Sequence, residues 1–157
     1  MRVLLIGGGL PGLTLAQSLT ADGHAVRFVT RNPEFAPQIE ATGAECFIGD
    51  PDRIGTLRYA LDNVTVLLWL LGTAGGELHG SRLTMMLEKT IDTTVRGIVY
   101  ERPDQPLPGE EIVRRMASYN EIPHALLDTP RDDADAWAAA VRSAIDDVLS
   151  VDRRSLG

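Results

Sequence analysis

The sequence predicts an α/β fold: a single doubly wound parallel sheet of about six strands, in the expected order 3-2-1-4-5-6. Three observations predict it. Short apolar, β-rich runs alternate with helix-like stretches from end to end. The stretches between them are long enough for the crossovers that parallel strands need. A run of glycines joins the first apolar run to the first helical stretch.

The elements follow in order. Val3-Leu4-Leu5-Ile6 is continuously apolar, as in a strand buried on both faces. Leu13, Ala16 and Leu19 have helical spacing, and Gly23 is placed to end that helix. The second strand covers 25–29 and the third 44–48, with a short helix from Pro33 to about Thr42 between them. Residues 52–61 read as a helix and 64–71 as a strongly apolar fourth strand. A helix over 79–92 carries Leu83, Met86, Leu87, Thr90 and Ile91 on one face. The fifth strand covers 95–100. A helix opening near Pro108 has Ile112, Val113, Met116 and Ala117 as its stripe, and the sixth strand covers 124–127. Thr129-Pro130-Arg131-Asp132 resembles a capping box for the last helix. That helix buries Trp137, Val141, Ala144, Ile145 and Val148. One domain over 1–151 with a frayed tail at 152–157 is expected, so no separate substrate-binding domain is.

Composition narrows the function classes. The chain has 157 residues, 44% apolar and 24% charged, ordinary for a globular domain with a real core. Its formal charge of -7 argues against nucleic acid or an anionic membrane as a main partner. One cysteine, Cys46, excludes an intramolecular disulfide and fits a reducing compartment. The longest apolar stretch, 66–71, is far short of the ~18 residues a membrane span needs. No signal peptide is visible, and a cytoplasmic location is expected.

Gly7-Gly8-Gly9-Leu10-Pro11-Gly12 fits G-x-G-x-x-G, directly after a buried strand and before a helix. Gly7 allows the tight turn. Gly9 lets backbone approach a pyrophosphate, and Gly12 lets the helix pack close to the sheet. The helix start then offers free N–H groups and its positive dipole end to phosphates. Pro11 costs little there, because first-turn N–H groups lack helical partners anyway. The pattern points to a Rossmann domain that holds a dinucleotide, with its crevice at the carboxyl ends of strands one and four.

The end of the second strand bears on which dinucleotide. NAD binders usually place an acid there, roughly 20 residues on, for the ribose 2′-hydroxyl. Here stands Thr30-Arg31-Asn32. No acid would repel a 2′-phosphate, and Arg31 offers it a planar fork. NADP is favoured, with NAD the alternative. Asp50 has two readings, accepting from an adenine amino group or capping the helix that follows at Pro51. Leu71-Gly72-Thr73 and the glycines that follow lie at the switch point, suited to the nicotinamide half or to a flexible loop.

The glycine loop, Thr30-Arg31-Asn32-Pro33, Gly49-Asp50 and Leu57-x-x-Ala60-Leu61-x-x-Val64 together resemble the atypical and extended short-chain dehydrogenase/reductases. That clan includes NAD(P)-dependent epimerases and dehydratases and NAD(P)H-binding proteins. The resemblance covers about 2–75, and the rest only in element order. It implies cofactor contacts at Gly7, Gly9, Leu10, Pro11, Gly12, Thr30, Arg31, Asp50 and the loop Leu71, Gly72 and Thr73. The triple glycine also resembles FAD loops. Those normally keep the acid and sit in far longer chains, so FAD ranks lower.

The chain departs from this clan in its chemistry. The clan's catalytic pair is Tyr-x-x-x-Lys, in which Lys lowers the Tyr pKa. The tyrosines here are Tyr59, Tyr100 and Tyr119, followed four positions on by Asn63, Asp104 and Pro123. The single lysine, Lys89, has Met85 four positions before it. Catalytic residues are therefore not assigned. Tyr100 or Glu101, at a strand end on the crevice edge, is a weak acid–base candidate. His79 reads as structural, and His24 and His124 lie at strand entrances away from the crevice. Cys46 reads as a small core residue. Asp132, Asp133 and Asp135 read as helix-start acids, not a metal site. Two functions stand: an oxidoreductase- or epimerase-like protein of unknown substrate, and a non-catalytic NAD(P)H-sensing or regulatory module. Homodimerisation through an exposed helix face is a further expectation.

Overall fold

The computed structural model describes the backbone of residues 1–156 and side chains through 150. Six strands form one parallel sheet in the order β3-β2-β1-β4-β5-β6, where β1 is Arg2–Gly7, β2 Ala25–Thr30, β3 Glu45–Ile48, β4 Val66–Leu70, β5 Gly97–Glu101 and β6 His124–Leu127. The helices are α1 (Gly9–Ala21), α2 (Ala36–Ala41), α3 (Ser81–Thr90), α4 (Gly109–Tyr119) and α5 (Ala134–Leu156). The side chains of 151–157 lie outside the described residues, and the frayed tail expected at 152–157 falls among them.

Strand periodicity divides the core into two layers. Val3, Leu5, Val66, Leu68 and Leu70 face a layer shared with Leu15 and Leu19 of α1, Ile39 of α2 and Trp137 of α5. Leu4, Ile6, Leu67 and Trp69 face the other layer, with Leu83 and Met86 of α3 and Val113 of α4. Successive side chains of a strand point to opposite faces, so a strand covered on both must be apolar throughout. All five residues of β4 are buried, as the unbroken run Val66–Leu70 requires.

Four elements differ from the sequence expectation. The expected helix over 52–61 is only a 3₁₀ turn at Ile54–Leu57. Side chains there compete for the backbone: Asp50 Oδ1 accepts from Asp52 N–H at 2.9 Å, and Thr56 Oγ1 accepts from Asp50 N–H at 2.8 Å. The segment from Pro33 splits into a 3₁₀ turn at Pro33–Phe35 and α2. The helix expected from His79 begins at Ser81, because Gly80 is far from helical dihedrals (φ -136°, ψ -112°). Glu77 Oε2 accepts from Ser81 N–H at 3.2 Å. Finally, Thr129 does not cap α5. Asp133 does, its Oδ1 accepting from Ala136 N–H at 3.0 Å. Pro130 and Arg131 thus lie in the loop before α5, not in its first turn.

Candidate dinucleotide site

The carboxyl edge of the sheet carries two neighbouring cavities. The first, about 260 Å³, lies over β1, β2 and β3 and is lined by Gly7, Gly9, Thr30, Arg31, Asp50 and Leu71. Ile6, Phe35 and Leu78 add apolar wall. Its size is near the lower end of small-ligand sites, ~300–1,000 Å³. The second, about 290 Å³, lies over β4, β5 and β6 and includes Gly72, Thr73, Arg102 and Arg131.

The glycine loop is built so that only glycine fits. Gly7, Gly8 and Gly9 all have positive φ, 89°, 86° and 56°. A Cβ on Gly7 would collide with the Leu70 carbonyl oxygen. Gly8 N–H donates to that oxygen at 2.8 Å, tying the loop to β4. A Cβ on Gly12 would lie 3.1 Å from the Phe28 ring, so α1 rests directly on β2. The α1 first turn holds no acid. Pro11 has no N–H and Gly12 N–H donates to the Gly8 carbonyl at 3.0 Å, so Gly9 and Leu10 carry the turn's open N–H groups, and the dipole end meets the cavity at Gly9 without a competing carboxylate.

The sequence-derived residues separate by place. Leu10 and Pro11 sit in the first turn of α1, Leu10 71% exposed, and neither lines the two cavities described above. Gly12 is buried beneath them. Thr30 Oγ1 accepts from Asn32 N–H at 3.1 Å, fixing the turn that presents Arg31. Arg31 is exposed, and no hydrogen bond or ion pair among the described residues holds its guanidinium. Asp50 lines the first cavity, and its Oδ1 accepts from Asp52 N–H in a tight turn rather than capping a helix, since only the 3₁₀ turn Ile54–Leu57 follows it. Gly72 and Thr73 line the second cavity, and Gly72 N–H is committed to Glu101 Oε1 at 2.7 Å.

Glu101 and Tyr100 are not free acids or bases. Glu101 is 4% exposed. Its Oε2 accepts from Arg131 Nε at 3.0 Å and Trp137 Nε1 at 2.8 Å. Its Oε1 accepts from Arg131 Nη2 and Gly72 N–H. Four donors around one buried carboxylate compensate its desolvation and fix it in place. Tyr100 is fully buried, and burial drives its hydroxyl pKa well above the ordinary tyrosine range. Its O–H donates to His79 Nδ1 at 2.5 Å. His79 Nε2 lies 2.8 Å from the Leu71 carbonyl and 3.0 Å from the Ala74 carbonyl. Carbonyls only accept, so Nε2 carries a proton, and in the neutral imidazole Nδ1 is the acceptor. His79 therefore has the structural role read from the sequence, staking the loop after β4.

Sequence reasoning missed Arg131 by assigning it to a helix start. The available signal was Asp133, an equally good N-cap, which leaves Arg131 in a loop. Cys46 is half-buried against the α1/α5 layer, and burial raises its thiol pKa. No group of His, Cys, Asp and Glu among the described residues could hold a metal. No helix among them is long and apolar enough to cross a membrane.

No family model matches the sequence, and no curated protein does. Solved structures share the fold. A chain assigned to the short-chain dehydrogenase/reductases from Corynebacterium glutamicum superposes with TM-score 0.69 at 19% identity, over 93% of this chain and 92% of that one. The triphenylmethane reductase of a Citrobacter species gives 0.65 at 20%, over 85% and 50%. An NADPH-dependent quinone oxidoreductase from Escherichia coli, complexed with NADPH, gives 0.63 at 20%, over 80% and 47%. The chain spans about half the length of the epimerase and triphenylmethane reductase structures it superposes on, 55%, 48% and 50% of three such chains.

Proposed function

We propose that the chain binds a nicotinamide dinucleotide along the carboxyl edge of its sheet, with NADP(H) preferred over NAD(H), and acts as an oxidoreductase-like protein in the cytoplasm. The observation that carries this is the glycine loop. Three successive positive-φ glycines bring the α1 N-terminus to the cavity edge with its backbone bare. In this reading Gly7, Gly9, Leu10, Pro11 and Gly12 form the diphosphate cradle, and Thr30, Arg31 and Asp50 hold the adenosine end. Leu71, Gly72 and Thr73 flank the nicotinamide end. The unpaired guanidinium of Arg31 supports the phosphorylated cofactor. When bound, the cofactor supplies hydride transfer, and the protein orients it.

A second reading, a non-catalytic NAD(P)H-sensing or regulatory module, is favoured by a specific observation. Tyr100 and Glu101, the acid–base candidates of β5, are both consumed by internal hydrogen bonds.

Thermal unfolding with NADPH, NADH, FAD and no ligand tests the binding claim. A specific binder gains about 2.7 kcal/mol at a hundredfold excess over Kd. The expected order is NADPH above NADH above FAD. No shift with any dinucleotide overturns the reading. Turnover against quinones, aldehydes and ketones then separates enzyme from sensor.

A further inference from the structure

We infer that Arg131 is a second, preformed phosphate contact of this site, reaching the dinucleotide's diphosphate from the α5 side of the glycine loop; the inference rests on the dinucleotide reading above.

The guanidinium of Arg131 is held on two of its three nitrogens. Nε and Nη2 form a two-pronged pair with Glu101, and Nη2 also donates to the Leu70 carbonyl at 2.8 Å. That carbonyl is the one Gly8 N–H uses, so the arginine and the glycine loop share an anchor. The Trp137 ring lies 5.4 Å from the guanidinium carbon and limits its swing. The third nitrogen, Nη1, has no acceptor among the described residues. It lies 3.5 Å from the position a Cβ on Gly9 would occupy.

Gly9 is where backbone must be bare for a diphosphate to approach. The space above it is therefore bordered by the first turn of α1 on one side and by Arg131 Nη1 on the other. A fixed planar cation beside free N–H groups suits an anion with several oxygens. The arrangement also has its entropy cost settled beforehand, because Glu101, Leu70 and Trp137 orient the arginine before ligand arrives. Arg131 lines the second cavity and Gly9 the first, so the approach of Nη1 to Gly9 bridges the two cavities.

Titration of the full chain with NADPH and with NADH tests this, comparing wild type, Arg131→Gln, Arg131→Lys and Glu101→Gln. Arg131→Gln is expected to weaken binding about ten- to hundredfold and to flatten the salt dependence of Kd. Arg131→Lys, which keeps the charge, recovers part of the loss. Glu101→Gln loosens the clamp and leaves the cation, and costs less than Arg131→Gln. If Arg131→Gln does not fold, the double variant with Glu101→Gln makes the same comparison without a buried unpaired carboxylate. Unchanged affinity in the arginine variant, or equal losses in Arg131→Gln and Glu101→Gln, overturns the inference. A wild-type chain that binds neither dinucleotide overturns the parent reading, and that result is visible before any variant is made.

Discussion

Arg31 and Arg131 carry the same charge and are held in opposite ways. Arg31 stands unpaired on an exposed turn, so its energy is available to a ligand and little of the fold depends on it. Arg31→Gln is expected to lower NADPH affinity roughly tenfold with NADH affinity nearly unchanged, read by titration. Equal effects on both cofactors would remove the basis for the NADP preference. Arg27 shows the other extreme. Its guanidinium is nearly buried, pairs with Glu45 and donates to the carbonyls of Ala60 and Asp62, joining β2 to β3 and the following turn. His124, at the start of β6, has its pKa lowered from 6.5, first by burial and then by Arg114. The sign follows from linkage. The unfolded chain takes up the proton first, so stability falls as pH drops below about 6.5 and through the lower folded value. His124→Gln should flatten that part of the stability–pH curve, measured by denaturant midpoints between pH 7.5 and 5.

Element boundaries turn on side chains that compete with, or complete, backbone hydrogen bonding. Asp133 satisfies an N–H that α5 would otherwise leave open. Asp133→Ala is expected to cost about 1 kcal/mol, a drop of roughly 2–4 °C in Tm for a domain of this size. The same substitution at Asp132 should cost much less, which a paired melting experiment would check. Between β3 and β4, Asp50 and Thr56 take over backbone donors and hold the chain in short turns, so a helical composition does not become a helix. After β4, His79 and Trp69 tie a glycine-rich loop to the core: Trp69 Nε1 donates to the Leu78 carbonyl at 2.9 Å. A loop whose glycines suggested flexibility is thus pinned from below.

For the whole molecule, the packed core and the candidate site occupy separable places. The two apolar layers meet across β1 and β4, and the site lies at their carboxyl edge. Leu68 is fully buried in the middle of β4, aligned with Leu5 and Val99 on its neighbours. Leu68→Ala is expected to cost roughly 2–5 kcal/mol. Its ratio of NADPH to NADH affinity should stay that of the wild type, because the strand's carboxyl end is untouched. A changed ratio at unchanged fold would show that core and site are coupled. The net charge of -7 makes the site's local electrostatics matter more, since the surrounding field does not draw anions in.

The sequence alone was enough for the sheet and its order. Apolar runs such as Val3–Ile6 and Val66–Leu70 can be satisfied only with both faces covered, and the crossovers between them dictate parallel pairing. It also marked the glycine loop and the basic turn at Arg31, since both are local patterns in which spacing carries the chemistry. The tertiary structure decided which polar groups remain free. In the sequence, either Tyr100 or Glu101 could serve as an acid or base or be a plain strand-end residue, and the choice is made only when Arg131, Trp137 and His79, all distant in sequence, arrive beside them. Arg131 read as part of a helix start until Asp133 took the cap and released it toward Gly9. A hydrogen-bond partner tens of residues away leaves no local trace, so whether a charge is available or consumed is set only when the strands bring their ends together.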